Sequence, residues 1–385
     1  MQRIKVLFVI TKLELGGAQK QLLNLIAGLD ETRFELFLFT AKEGLLVSEA
    51  EALQGLRIKK SKYLKRALSP FNDIAAFLEI RRFIKRNGID LVHTHSSKAG
   101  ILGRWAAWSA GVKNIVHTVH GWSFHDCQPW LAKRIFIALE RITAGFTAKL
   151  IVVCQRDKAC GLKNRIAGEE KYSFITYAIK HEDFCLDRKK AREDLGFSAQ
   201  DSIVGMISCF KPQKSPGDFI RVASLARDTA PNIKFILVGD GVLRGKIEKL
   251  IDKFDLKDRV ILTGWRRDIP QLLSVFDVLI LTSLWEGLPV VILEAMAASL
   301  ALVATNTGGV EEIIKDTETG FLVARRDIAA ISKKLGLLLK DKVLRERIGG
   351  AARDFVAANF YSRDMVLKHS ALYSGLIRRE AYYAN

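Results

Sequence analysis

The chain has 385 residues, 49% of them hydrophobic and 26% charged, a balance that excludes an intrinsically disordered chain. Its length suits two domains of about 150–200 residues each, and no apolar run reaches the roughly 18–20 residues of a membrane-spanning helix. The net charge of +18 is lopsided: residues 1–180 hold 29 Lys and Arg against 15 Asp and Glu, or +14, and residues 181–385 hold 31 against 27, or +4.

The opening MQRIKVLFVI is a short β-branched run followed by Thr11 and Lys12. It lacks a small-residue cleavage site and reads as a first buried strand, not a secretory signal. Strand-like runs at 4–10, 34–40, 89–95, 114–120 and 148–154 alternate with helical stretches at 18–29, 70–87 and 129–148. The strands are apolar throughout, as in a parallel sheet covered by helices on both faces. A charged stretch poor in strand formers, 181–200, reads as a junction. A second series of strands follows at 202–210, 234–240, 259–264, 277–283 and 301–305, and the tail from 327 is helical in pattern. The expected fold class is therefore α/β, with two parallel-sheet, Rossmann-like domains (1–180 and 201–358) facing a central cleft. The last segment, 359–385, is expected as a helix crossing back to the first domain. Five scattered cysteines, Cys127, Cys154, Cys160, Cys185 and Cys209, include no C-x-x-C pair, which argues against a disulfide framework or zinc knuckle and for a reducing cytoplasm.

Two motifs carry chemistry. Gly16 and Gly17 follow the first strand and open a helix, where the backbone can approach an anion closely; a tight turn is the plainer alternative. Trp285-Glu286-Gly287-Leu288-Pro289-Val290-Val291 leads from a strand end into a helix bearing Glu294, eight residues after Glu286. Amides at that helix start suit a diphosphate, Glu294 a ribose diol and Glu286 a sugar hydroxyl. The alternative is a solvated pair of helix-end glutamates, but Glu294 lies in an apolar stretch where a buried carboxylate needs a partner. His93, His95, His117 and His120 sit near strand ends, yet no carboxylate or cysteine completes a metal set at usable spacing. His93 and His117 read as core or supporting residues.

The E-x7-E element with its Gly-Leu-Pro centre resembles the retaining nucleotide-sugar glycosyltransferases of family 4, which have the two-domain GT-B fold. The resemblance extends over nearly the whole chain. It implies that Gly16-Gly17 matches the family's glycine loop, His120 its first-domain histidine and Lys214 the lysine that holds the donor diphosphate. Gly239 and the Thr263-Gly264-Trp265 loop match strand-end loops, the latter recognising the base. Gly308-Gly309 and Gly320-Phe321 continue the succession. The catalytic set it implies is His120, Lys214 and Glu286. The donor-binding set is Gly16, Gly17, Lys211, Gly239, Gly264, Trp265, Gly287, Leu288, Pro289, Val290, Val291 and Glu294. Two departures stand out. Cys209 lies one residue from the slot of the family arginine, leaving Lys211 as a substitute cation, and Tyr177-Ala178 replaces the usual Asn-Gly.

The implied activity is transfer of a sugar, with retention, from a nucleotide-diphosphate donor to a glycan or lipid-linked acceptor in cell-surface polysaccharide or glycoconjugate synthesis. No cofactor is expected. The sequence has no D-x-D triplet, so no metal is expected either: Lys214 and the amides after Glu286 would stabilise the departing diphosphate. Trp122, Phe124 and Trp130 form an aromatic rim that either faces an acceptor or packs under the following helix; Asp126 is a weak candidate. The run from Arg57 to Arg66, with Lys59, Lys60, Lys62 and Lys65, suggests an anionic membrane surface, against a plain solvated basic face. No nucleic-acid motif accompanies the charge. The expected location is cytoplasmic, peripheral at the inner face of the membrane. The rival readings are a nucleotide-sugar 2-epimerase and a non-catalytic polyanion-binding protein.

Overall fold

The computed structural model describes residues 3–126, 128–228 and 232–384, so Cys127 lies outside the described residues. Two compact units result, one formed by Met1–Tyr177 with Ser362–Asn385 and the other by Ala178–Tyr361.

The first unit is built on seven parallel strands: β1 (Ile4–Val9), β2 (Phe34–Ala41), β3 (Leu56–Ser61), β4 (Leu91–His95), β5 (Asn114–Val119), β6 (Lys149–Val152) and β7 (Tyr172–Phe174). Their spatial order is β3-β2-β1-β4-β5-β6-β7. Central β1 pairs Val6 with Leu36 on one side and with Leu91 on the other. Leu7, Val9, Phe37, Phe39 and Val92 are buried there beneath Ile80 and Ile84 of the Pro70–Asn87 helix. The closing helix, Ser362–Ala384, packs on the Gly17–Gly28 helix. Tyr373 anchors it: the ring is fully buried, edge-on to Phe34, and its hydroxyl lies 2.6 Å from His93 Nδ1.

Strand β3 was not expected, and it falls on the basic run. Arg57, Lys59 and Lys60 form ion pairs with Glu35, Glu79 and Glu51. Alternating cations on an edge strand leave one face for packing and discourage further strand addition. Only Lys62, Lys65 and Arg66 of that run lie beyond the strand, all exposed.

The second unit has six parallel strands, β8 (Ser202–Ile207), β9 (Ile233–Val238), β10 (Val260–Gly264), β11 (Val278–Leu281), β12 (Ala301–Thr305) and β13 (Phe321–Val323), in the order β10-β9-β8-β11-β12-β13. Phe219, Phe235, Val204 and Ile280 belong to its buried core. The segment expected as a junction is part of this unit. Its helix, Arg188–Asp194, is tied down by Asp277, which pairs with Arg188 at 2.6 Å and Arg192 at 2.8 Å and also accepts from the Ile203 amide at 2.8 Å. A buried carboxylate needs such partners, which is why a charged stretch packs here instead of remaining a linker. No helix among the described residues is long and apolar enough to cross a membrane.

Candidate functional site

In the first unit the residues of interest follow the carboxyl ends of β1, β4 and β5. Gly16 caps the Gly17–Gly28 helix with extended φ −152° and ψ 156°, a conformation open to any residue. A Cβ there would meet only the flexible end of Gln19, so the glycine keeps the approach to the helix open and relieves no backbone strain. Beside it Ser96, at φ 63°, places its Oγ 2.8 Å from Thr11 Oγ1.

His120 follows β5. Its Nδ1 lies 2.5 Å from the Tyr177 hydroxyl and its Nε2 lies 2.9 Å from His95 Nδ1. The His120 ring stacks on both neighbours. Burial, reinforced by nearby His369, pulls its pKa down to about 3, so at neutral pH it is a neutral imidazole. A neutral ring serves as a hydrogen-bonding group, not as a cation for phosphate. His95, His93 and His117 are likewise pushed well below their ordinary range, first by burial and then by the neighbouring histidines, with Arg104 ahead of them for His117. His93 is held by Thr118 Oγ1 at 2.7 Å as well as by Tyr373. Among the described residues, His95 Nε2 finds no hydrogen-bond partner. His95 lines a cavity of about 20 Å³ together with Gln21, Met365 and His369, room for one water. No group of three or more His, Cys, Asp or Glu among the described residues is arranged to hold a metal ion.

The aromatic trio separates. Phe124 is buried, and Trp122 stacks on it while donating from Nε1 to the Asp157 carbonyl at 2.8 Å. Phe124 lies in the first unit's core and Trp122 packs against it, the packing alternative of the two that the sequence left open. Trp130 is exposed. Asp126 pairs with Lys133 on the surface.

In the second unit the sheet's carboxyl edge gathers the remaining candidates. Lys214 closes a 3-10 turn, Pro212–Lys214, and its Nζ pairs with Glu286 Oε1. Lys211 starts that turn, half-buried. Gln213 reinforces the pairing, donating from Nε2 to the Trp285 carbonyl at 2.9 Å and lying 3.4 Å from Glu286 Oε2. Thr282 Oγ1 fixes the turn through the Lys214 and Ser215 carbonyls, each at 3.0 Å. Gly287 and Leu288 are buried, Pro289 caps the Val290–Ala297 helix from outside its first turn, and Glu294 is buried on that helix. The amides of Val290 and Val291 open the helix, where backbone donors lack intrahelical partners and favour an anion.

Two glycines are required here. Gly308 has φ +60°, and a Cβ would come 2.1 Å from the Glu286 carbonyl oxygen. Next to it the Gly309 amide donates to the Gly287 carbonyl at 2.7 Å. Gly239, at φ +126°, has no room for a Cβ beside the Ser208 carbonyl, and its amide donates to the Gly264 carbonyl at 2.9 Å. Gly264 itself has φ +70°, and Trp265 after it is exposed.

Residues 15–170 match the family described as Glycosyltransferase Family 4, and residues 187–355 match Glycosyl transferases group 1. The chain is 32% identical over 348 residues to the Escherichia coli UDP-Gal:alpha-D-GlcNAc-diphosphoundecaprenol alpha-1,3-galactosyltransferase, covering 89% of each chain. This chain belongs to glycosyltransferase family 4. A second family member, 24% identical over 91% of this chain and 93% of the other, is a Campylobacter jejuni alpha-1,4-N-acetyl-D-galactosaminyltransferase named for a PP-undecaprenol-linked glycan. The Anabaena HepE protein, solved in complex with UDP-glucose, superposes with a TM-score of 0.85 at 20% identity, over 97% of this chain and 100% of that one. The shared architecture is the GT-B fold of two parallel-sheet α/β domains. These comparisons support the transferase over the epimerase and the polyanion-binding readings.

Within this glycosyltransferase, Gly16, Gly17 and His120 belong to the first unit, and Lys211, Lys214, Gly239, Gly264, Trp265, Glu286 and Glu294 to the second. The slot of the family arginine holds Ser208, which is buried, with the half-buried free thiol of Cys209 beside it. Sequence reasoning passed over Gln213, Thr282 and Arg325, whose Nη1 donates to the Leu284 carbonyl at 3.1 Å. The first two adjoin motifs already singled out, whereas Arg325 lies 39 residues beyond Glu286 and only the fold brings it near.

Proposed function

We propose that this enzyme transfers a hexose from a UDP-sugar to a lipid-diphosphate-linked glycan, with retention and without a metal ion, in cell-surface polysaccharide synthesis. It works at the inner face of the membrane without spanning it. The observation that carries the reading is the Lys214–Glu286 pair beside the amide-rich start of the Val290–Ala297 helix. Departure of a nucleoside diphosphate builds negative charge on the leaving oxygen. A fixed ammonium and helix-start amides stabilise that charge in the transition state. Glu286 holds Lys214 in place and offers its second oxygen to a sugar hydroxyl. Glu294 takes the ribose diol, and His120, neutral at pH 7, takes a hydroxyl of the transferred sugar once a ring nitrogen is released. Retention follows the family, and with no double-displacement nucleophile in view, attack proceeds on the face from which the diphosphate leaves. The UDP-sugar and lipid acceptor are supported by the names of the E. coli and C. jejuni relatives.

The test is incubation with a panel of nucleotide sugars and a polyprenyl-diphosphate-linked sugar, following UDP release and product mass. The anomeric configuration of the product is then read by NMR, and the rate is measured with and without chelator. An inverted product, or activity lost to chelator and restored by Mg²⁺, overturns the corresponding part. Transfer only to soluble sugars overturns the lipid acceptor.

A further inference from the structure

The helix Trp130–Gly145 is apolar on two faces, one packed through Phe136 and Ile137 against the core and one turned outward. Its buried positions are Glu140, Thr143 and Ala144, while its exposed face carries Trp130, Leu131, Ile135, Leu139 and Ile142. Trp130 is 67% exposed, Leu131 58%, Ile135 52% and Ile142 57%. A surface helix ordinarily turns this stripe towards the core. Here a separate inward face is held by Phe136 and Ile137 on the core and by polar contacts to the neighbouring Ser97–Ser109 helix, which leaves the stripe outside. Glu140 Oε2 accepts from Arg104 Nη2 at 2.7 Å, both groups buried, and Trp105 Nε1 donates to Thr143 Oγ1 at 3.0 Å. The orientation is therefore enforced, because turning the outer stripe inward would bring Phe136 and Ile137 out to water and strand the Arg104 guanidinium without its carboxylate.

Two further observations identify what covers the stripe. Cations flank it: Lys133, Arg134 and Arg141 lie on the same helix, with the Arg134 guanidinium over the Trp130 ring at 5.5 Å. A second exposed apolar cluster lies at the same edge of the sheet. Leu68, Phe71 and Ile74, at the start of the Pro70–Asn87 helix, follow the exposed Lys65 and Arg66. The Ser97–Ser109 helix packs between the two, and in a parallel sheet all three helices begin at the strands' carboxyl ends. Tryptophan and aliphatic side chains standing out beside lysines and arginines match the boundary between acyl chains and anionic headgroups.

We infer that the Trp130–Gly145 helix, together with Leu68, Phe71 and Ile74, is the face by which this protein docks on an anionic lipid surface. This rests on the lipid-acceptor reading for its purpose but not for its test. The basic run at 57–66, half of it paired on β3, contributes through Lys62, Lys65 and Arg66.

The experiment is co-sedimentation of the whole protein with phosphatidylglycerol-containing vesicles and with pure phosphatidylcholine vesicles. Two variants are compared: L131Q/I135Q/L139Q/I142Q, and K133E/R134E/R141E. The substituted side chains are exposed or half-exposed, and unchanged thermal unfolding checks that both variants fold. The parent should bind the anionic vesicles, with a blue shift of tryptophan emission. The apolar variant should bind at least about tenfold more weakly at low and high salt, and the charge variant should lose binding mainly at low salt. Donor turnover with a short soluble acceptor should stay level in both variants. Vesicle binding equal to the parent's in the apolar variant overturns the inference. So does a parent that forms dimers in sedimentation velocity, which the apolar variant dissociates, while neither binds vesicles. Vesicle binding through this face without any transfer to a lipid-linked sugar leaves the inference standing and overturns the acceptor reading instead.

Discussion

Acid should unfold the first unit before the second. Of the seven histidines, only His181 belongs to the second unit, and five in the first unit, His93, His95, His117, His120 and His369, are held neutral chiefly by burial. Burial holds each of them below the ordinary histidine value of 6.5, His369 to about 4. The sign follows from proton uptake: above pH 6.5 these rings are neutral in folded and unfolded chains alike, and below it only the unfolded chain gains protons. Stability is thus complete above pH 6.5 and is lost as pH falls from there towards about 4. Between pH 7 and 5, a ring that stays neutral when folded forfeits about 2 kcal/mol, and five together about 10 kcal/mol. That equals much of the 5–15 kcal/mol of a typical domain. Hydrogen exchange read by mass spectrometry at pH 7.5, 6.0 and 5.0, corrected for intrinsic rates, reports each unit separately. Protection should fall steeply over β4 and β5 and little over β8 and β11. A His369→Gln variant should flatten the loss by about a fifth, since one of five such rings is gone. Equal loss of protection in both units, or an unchanged slope in the variant, would refute the reasoning.

Three further outcomes test the donor site. Lys214→Ala should lower kcat at least about a hundredfold, the scale of losing one preorganised stabiliser, and a rate within a few-fold of the parent's would show that Lys211 or the backbone suffices. Glu294→Ala should weaken UDP binding in calorimetry, whereas Glu286→Ala should mainly lower turnover; equal UDP affinity in the Glu294 variant sinks the ribose assignment. Gly308→Ala combines a positive φ with a Cβ 2.1 Å from the Glu286 carbonyl, so it should cost about 1–3 kcal/mol and displace the Glu286 loop. A melting temperature and UDP affinity equal to the parent's would show that the loop accommodates the methyl group.

Strands rich in Val, Ile and Phe and buried on both faces are legible without any tertiary information, and β1, β2, β5 and β12 lie where their apolar runs stand. β3 escaped because Leu56–Ser61 alternates cations with apolar residues, and its ion-pair partners come from distant parts of the chain: Glu35 on β2, Glu79 on the Pro70–Asn87 helix and Glu51 before the strand. β7 and β13, three residues each, are too short to carry a period. The outward apolar stripe of Trp130–Gly145 was equally hidden. Its periodicity announces an amphipathic helix but cannot say which side meets the protein. That is decided by Arg104, 36 residues upstream of Glu140. Likewise Tyr177, which replaces the family asparagine, gave no local sign that it would hold the His120 ring.

The donor site shows the same division between spacing and pairing. Eight residues between Glu286 and Glu294 set one carboxylate at a loop and the other two turns along a helix, and the sequence suffices for that. A carboxylate beside an incoming diphosphate is, however, a repulsive element when considered alone. The structure resolves this by joining Glu286 to Lys214, with Gln213 bridging to the same loop, so that the two side chains form a neutral unit in the resting protein. On the proposed reading, an arriving diphosphate would meet an ammonium already in position and partly desolvated, sharing it with Glu286 without facing an uncompensated anion. Glu286 is thereby left with an oxygen for the sugar. The arginine missing near Ser208 makes this arrangement more important: with one fewer fixed cation at the edge of β8, the placement of Lys214 depends on Glu286. Removing Glu286 should therefore lower turnover, because the ammonium that stabilises the departing diphosphate loses its placement and the sugar a partner, whereas removing Glu294 should weaken nucleoside binding.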